Sequence, residues 1–69
     1  MIRSWAELEA HLESGGRLRC ERREDGDAWR TEAPERDVVA VLATRALADG
    51  VLQKVKSEDD AIIYAWKAA

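Results

Sequence analysis

Turn and breaker residues divide the chain at short intervals: Gly15-Gly16, Asp25-Gly26, Pro34, Gly50 and the run Ser57–Asp60. The longest stretch between them, residues 35–49, holds 15 residues. Glycine and proline are the strongest punctuators of local structure, so each segment can form one short helix or one strand and little more. In 69 residues this leaves room for a single domain over residues 1–69, with no linker, repeat or second domain. A domain so small buries only about 60% of the surface its unfolded chain exposes, so every apolar segment is needed for one core.

The segments then take their types from their patterns. Ser4 followed by Glu7 has the spacing of a capping box, in which each side chain satisfies an orphan backbone donor of the other. Trp5, Leu8 and Leu12 fall on one face of the helix this box would open, residues 5–14, with Gly15 and Gly16 closing it and Ile2 packing beside it. "RLRCERREDGDAWRTE" reads as a hairpin turning at Asp25-Gly26. A two-residue turn there predicts Arg22 opposite Trp29, Glu21 opposite Arg30, Cys20 opposite Thr31 and Arg19 opposite Glu32. One face then carries two opposite-charge pairs. The other carries Leu18, Cys20, Trp29 and Thr31, with Trp29 either in the core or exposed for a partner. Pro34 suits a first helical turn, and Glu35 and Asp37 suit its positive dipole end. Val38, Val39, Val41, Leu42, Ala46 and Leu47 supply an apolar stripe over residues 35–49. In "VLQKVKSEDDAIIYAW", Val51–Lys56 pairs with Ala61–Trp66 across Ser57–Asp60, placing Val55 opposite Ile62, Gln53 opposite Tyr64 and Val51 opposite Trp66. Leu52, Ile63 and Ala65 would face the other way, and Lys67–Ala69 would be a short tail. The predicted fold is α+β: two helices packed on two antiparallel hairpins in the order α-β-β-α-β-β, forming one four-stranded sheet. Its centre would hold Trp5, Leu8, Leu12, Leu18, Trp29, Val38, Leu42, Val55, Ile62 and Trp66.

Composition narrows the function classes. Fourteen acids against eleven bases give a net charge of −3, poorly suited to non-specific duplex binding, which rests on a basic surface. No stretch approaches the ~20 apolar residues of a membrane span, and a cytoplasmic protein of a bacterial host cell, without membrane contact, is expected. Cys20 is the single cysteine and His11 the single histidine. A Cys–His nucleophile pair would have nothing to orient the imidazole, and a core-facing thiol is poorly placed for attack. One Cys and one His cannot make a zinc tetrad, "DGD" and "EDD" lack the spaced ligands of a calcium loop, and no glycine-rich phosphate loop occurs. The chain is expected to be a non-enzymatic binding protein with no cofactor and no metal.

The organised charge is acidic. Glu24, Asp25 and Asp27 sit at the first hairpin tip, and Glu58, Asp59 and Asp60 at the second. Acids are ordinary turn formers. On a strand, alternate residues also stand about 6.6–6.8 Å apart, near the spacing of neighbouring phosphates, so these carboxylates could occupy a basic groove built for nucleic acid. Residues 37–66, with "RALADGVLQKV" then "AIIYAW", resemble the recognition helix and wing of a winged-helix domain. That resemblance implies a DNA-binding regulator contacting phosphate through Arg36, Arg45, Lys54 and Lys56. With "REDGD" and "SEDD", the whole chain looks like a small phage-encoded inhibitor of the anti-CRISPR type. This second resemblance implies a DNA mimic whose partner-binding residues are Glu24, Asp25, Asp27, Glu58, Asp59 and Asp60. Its partner would be a nucleic-acid-binding complex, a CRISPR effector, and it would not itself bind nucleic acid. A third reading is a homodimeric interaction module using Leu52, Ile63 and Ala65. The expected state is a monomer or weak homodimer.

Overall fold

The computed structural model of the protein describes residues 1–67; Ala68 and Ala69 of the expected tail lie outside the described residues. Its elements are α1 (Trp5–Glu13), β1 (Arg17–Arg23), β2 (Gly26–Glu32), β3 (Arg36–Asp37), α2 (Ala40–Ala48), β4 (Leu52–Ser57) and β5 (Ala61–Trp66). The fold is α+β, as predicted, but the sheet has five strands, in the order β3-β2-β1-β5-β4, with every pair antiparallel. The β1–β5 pairing joins the two hairpins through their middle strands. Both helices pack on one face, α1 over β1 and β5 and α2 over β2.

Ser4 caps α1 as its spacing predicts, its hydroxyl accepting the Glu7 N–H at 3.2 Å. The reciprocal half of the box is absent: the Glu7 carboxylate reaches across to Arg36 at 3.1 Å and ties α1 to β3. Leu8 and Leu12 are fully buried and Trp5 packs beside them. Gly16 is required where α1 turns into β1, because a Cβ there would lie 2.3 Å from His11 Nε2 and 2.7 Å from the His11 backbone oxygen.

The second helix starts five residues later than the sequence predicts. Residues 33–37 instead form a turn through a cis Ala33–Pro34 bond and the short strand β3. Two interactions outweigh the helix signals. The buried Thr31 hydroxyl donates to the Pro34 carbonyl at 2.9 Å and accepts the Arg36 N–H at 3.2 Å. Glu35 and Asp37 pair with Arg30 instead of serving a helix dipole. Val38 and Val39 are extended, as suits their β-branched side chains. Ile2 bridges Val38 in parallel, with the Ile2 N–H donating to Asp37 at 2.7 Å, so the N-terminal residues cover the β3 side of the sheet.

Both hairpin registers differ from expectation. In the first, Leu18 faces Thr31, Cys20 faces Trp29, Arg22 faces Asp27 and Arg19 faces Arg30. A primed two-residue turn at Asp25-Gly26, type I′ or II′, needs positive φ at Asp25, and only Gly26 has it (φ 126°). The turn therefore centres on Glu24-Asp25, with Gly26 as the first strand residue. The slip of two leaves every side chain on its predicted face. The charge pairs persist as diagonals: Glu21–Arg30 and Arg19–Glu32 are each 3.9 Å apart. In the second hairpin Leu52 pairs with Trp66 and Lys54 with Tyr64; a bulge at Val55 then shifts the ladder so that Lys56 pairs with Ile63 and Ser57 with Ile62. Leu52 consequently joins the core face with Trp66 and Tyr64, and Val55, predicted to be core, is 41% exposed.

The centre holds Ile2, Leu8, Leu12, Leu18, Trp29, Val38 and Ala43, with Trp5, Cys20, Leu42, Leu52, Tyr64 and Trp66 packed against it. Trp29 is a core residue. Leu52 thus stands on the face opposite Ile63 and Ala65, and Ile63 is only 2% exposed. The apolar outer patch suggested for a homodimer does not exist as a unit.

Candidate functional site

The β1–β5 pairing decides where the acidic residues go. Strand β1 runs toward the first hairpin tip, and β5 runs away from the second, so antiparallel pairing sets the two tips side by side. The backbone records the junction: the Arg22 N–H donates to the Asp60 carbonyl at 2.8 Å. Glu24, Asp25 and Asp27 therefore share one end of the molecule with Glu58, Asp59 and Asp60. The second loop is closed by the Glu58 N–H donating to Ala61 at 2.8 Å, which leaves Glu58, Asp59 and Asp60 as its tip.

The six carboxylates are not equivalent. Glu58 folds back onto the helix-free face of the sheet and accepts a hydrogen bond from Arg19 at 2.7 Å. That bond is the main cause of a raised Arg19 pKa. Among the described residues, Glu24, Asp25, Asp27, Asp59 and Asp60 form no salt bridge. Their side chains stand on exposed turn and strand-end positions. The nearest bases are Arg22, directly across from Asp27, and Arg23, which leans toward Glu21 at 3.8 Å.

Beside this end the helices stop short and the sheet shows through. A cleft of about 340 Å³ opens there, its floor made by Cys20, Trp29, Ile62 and Tyr64 and its wall by Leu47 of α2. Asp27, Asp59 and Asp60 border it with Arg22 as the only base, and Glu58 adjoins it while its carboxylate is turned to Arg19 on the other face. The Trp29 and Tyr64 rings lie 6.3 Å apart between centroids and are tilted by 30°; Tyr64 is half-buried, whereas Trp29, at 8% exposure, offers the cleft only a small part of its surface. Burial pushes the Cys20 thiol above its ordinary pKa; Asp27 adds to the rise and Arg22 opposes it. The thiol is thus kept protonated, the state least suited to nucleophilic chemistry. His11 lies against Gly16 and lines a different hollow with Ser14 and Glu32, so histidine and cysteine do not share a site.

The bases assigned to phosphate contact on a winged-helix reading are dispersed. Arg36 lies on β3, outside the helix, and is held by Glu7 at 3.1 Å. Arg45 stacks over the Trp5 ring at 4.3 Å and faces Asp49 at 3.7 Å. The bulge at Val55 sends Lys54 and Lys56 to opposite faces of the sheet.

Sequence reasoning placed all six acids on hairpin tips. It missed that the tips meet, and it missed the cleft beside them. The signal for the cleft was faint: apolar Cys20, Trp29, Ile62 and Tyr64 run almost to the tips, while the helix meant to cover them ends at Ala48. Comparison with protein-family models, curated proteins and solved structures finds no match for this chain.

Proposed function

We propose that the protein is a non-enzymatic inhibitor of the anti-CRISPR type, whose acidic end occupies a basic nucleic-acid groove on a CRISPR effector and excludes the target duplex. One observation carries this reading: the β1–β5 pairing gathers six of the chain's fourteen acids at one end, five of them free of salt bridges among the described residues. Carboxylates fixed on two adjacent turns form a pre-organised anionic surface, and a basic groove attracts such a surface over long range. The dispersal of Arg36, Arg45, Lys54 and Lys56 weighs against the alternative of a duplex-reading regulator.

The test is competition between the protein and target duplex for a purified effector–guide complex. The wild-type protein displaces duplex. Glu24, Asp25 and Asp27 changed together to Lys, or Asp59 and Asp60 changed together to Lys, lose at least tenfold in competition while circular dichroism stays unchanged. Glu58→Lys alone loses less, because Arg19 already neutralises Glu58. Undiminished competition by both multiple reversals would remove phosphate mimicry from consideration.

A further inference from the structure

We infer that the cleft between α2 and the exposed end of the sheet is a receptor for an arginine side chain of the partner protein. The inference rests on the reading of the acidic end as a protein-binding surface and names the group it captures. The cleft, at about 340 Å³, falls in the size range of ligand pockets. Its floor and rim ask for different chemistry from the same occupant. Half-buried Tyr64, backed by the buried Trp29, offers an aromatic ring, and Ile62 and Leu47 add apolar surface. A charge-free occupant would leave the rim unanswered: the acids Asp27, Asp59 and Asp60 border it against the single guanidinium of Arg22. The Glu58 carboxylate is not counted with them, because Arg19 holds it on the opposite face of the sheet.

An arginine meets both demands. Its three-carbon stem lies on apolar surface and its planar guanidinium stacks on aromatic rings while donating in a fixed fork to carboxylates. A lysine ammonium is a strongly hydrated point charge with no face to stack. A protein groove that holds nucleic acid is rich in arginine, which links the cleft to the same partner surface as the tips. The tips would meet the groove by long-range attraction, and the cleft would anchor one residue by contact.

The experiment uses the full chain and the peptide acetyl-Gly-Arg-Gly-amide, with its citrulline and lysine counterparts. Two readouts are followed: amide and indole NMR shifts of Trp29, Asp60 and Ala61, and protection of Cys20, on the cleft floor, from alkylation by iodoacetamide. The arginine peptide should saturate with a dissociation constant on the order of millimolar, as suits a single side chain. It should bind at least threefold tighter than either counterpart and slow Cys20 alkylation in proportion. Leu47→Arg, which sets a guanidinium at the cleft wall, and Asp59→Asn with Asp60→Asn, which strips the rim, should each abolish both responses with the circular dichroism intact. Absence of saturable shifts, or equal binding of the citrulline or lysine peptide, would overturn the assignment. These results are independent of the effector. If Leu47→Arg competes with duplex like wild type while the tip reversals fail, the cleft assignment falls and phosphate mimicry stands. If the arginine peptide binds but tip reversals compete normally, phosphate mimicry falls and the cleft stands.

Discussion

Thr31 shows most directly how one side chain redirects a segment. It is the only buried polar side chain among the described residues, and its hydroxyl serves the Pro34 carbonyl and the Arg36 N–H at once. Valine has the same shape without the hydroxyl. Thr31→Val would leave both backbone groups without their partner, and an unsatisfied buried group costs about 1–3 kcal/mol. We expect a loss in that range by urea denaturation, and faster amide exchange at Arg36 and Asp37 than elsewhere in the sheet. A loss below about 0.5 kcal/mol, well under that penalty, would show that the turn is held by the ion pairs of Arg30 instead. Threonine at this position was legible from sequence as a core-face residue, because strand alternation sets the face. Its role was not, since nothing in the local pattern says which carbonyl a buried hydroxyl will meet.

At the scale of elements, the two hairpins differ in how their turns set register. Gly26 has φ 126° and open space around a notional Cβ, so a side chain there meets backbone strain without a clash. Gly26→Val should cost about 1–3 kcal/mol, the usual penalty for a non-glycine residue in such a conformation, measured by thermal or urea unfolding. An unchanged stability would mean that the hairpin re-forms in another register. In the second hairpin the bulge is the informative feature. Lys54 pairs with Tyr64 and Lys56 with Ile63, so deletion of Val55 would leave an uninterrupted ladder with every other side chain on its present face. We expect the variant to keep its circular dichroism spectrum. It would also lose the twist that a bulge imparts to an edge strand, a device that discourages edge-to-edge pairing. Light scattering should then show more self-association at high concentration than for wild type. A variant that unfolds would place the bulge among the features that hold β4.

At the scale of the whole molecule, charge is divided by position. The helix-free face alternates sign, with Arg19 among Glu21, Glu32 and Glu58, and Arg30 among Glu21, Glu35 and Asp37. Such mutual pairing leaves little field at a distance, whereas the shared tip end is predominantly acidic, with six acids against Arg22 and Arg23. Binding to a basic partner should weaken as salt rises, since the Debye length falls to about 8 Å near physiological ionic strength and about 3 Å at 1 M. The effect should fall mainly on association rate, where rim charges act, and stopped-flow or biosensor kinetics would separate it from dissociation. The same division predicts no mobility shift of duplex DNA with micromolar protein at physiological salt. A salt-sensitive duplex complex lost on Lys54→Ala with Lys56→Ala would restore the DNA-binding reading.

What the sequence determined by itself was local. Ser4 and Glu7 marked the start of α1, Gly15 and Gly16 marked its end, alternation placed Leu18, Cys20, Trp29 and Thr31 on one face, and turn chemistry put six acids on two tips. These follow from neighbours within a few residues, where spacing is set by the backbone alone. Residues 33–39 went the other way: Pro34, Glu35 and Asp37 have the pattern of a helix start, yet Thr31 and Arg30 hold the segment against the sheet, where Arg36 and Asp37 form β3. The slip in the first hairpin and the bulge at Val55 are likewise settled by packing, because local patterning tolerates a shift that burial does not. The pairing of β1 with β5 is the decision no local pattern contained. It depends on contacts between segments some forty residues apart, and it alone converts two acidic turns into one acidic end with an aromatic cleft beside it.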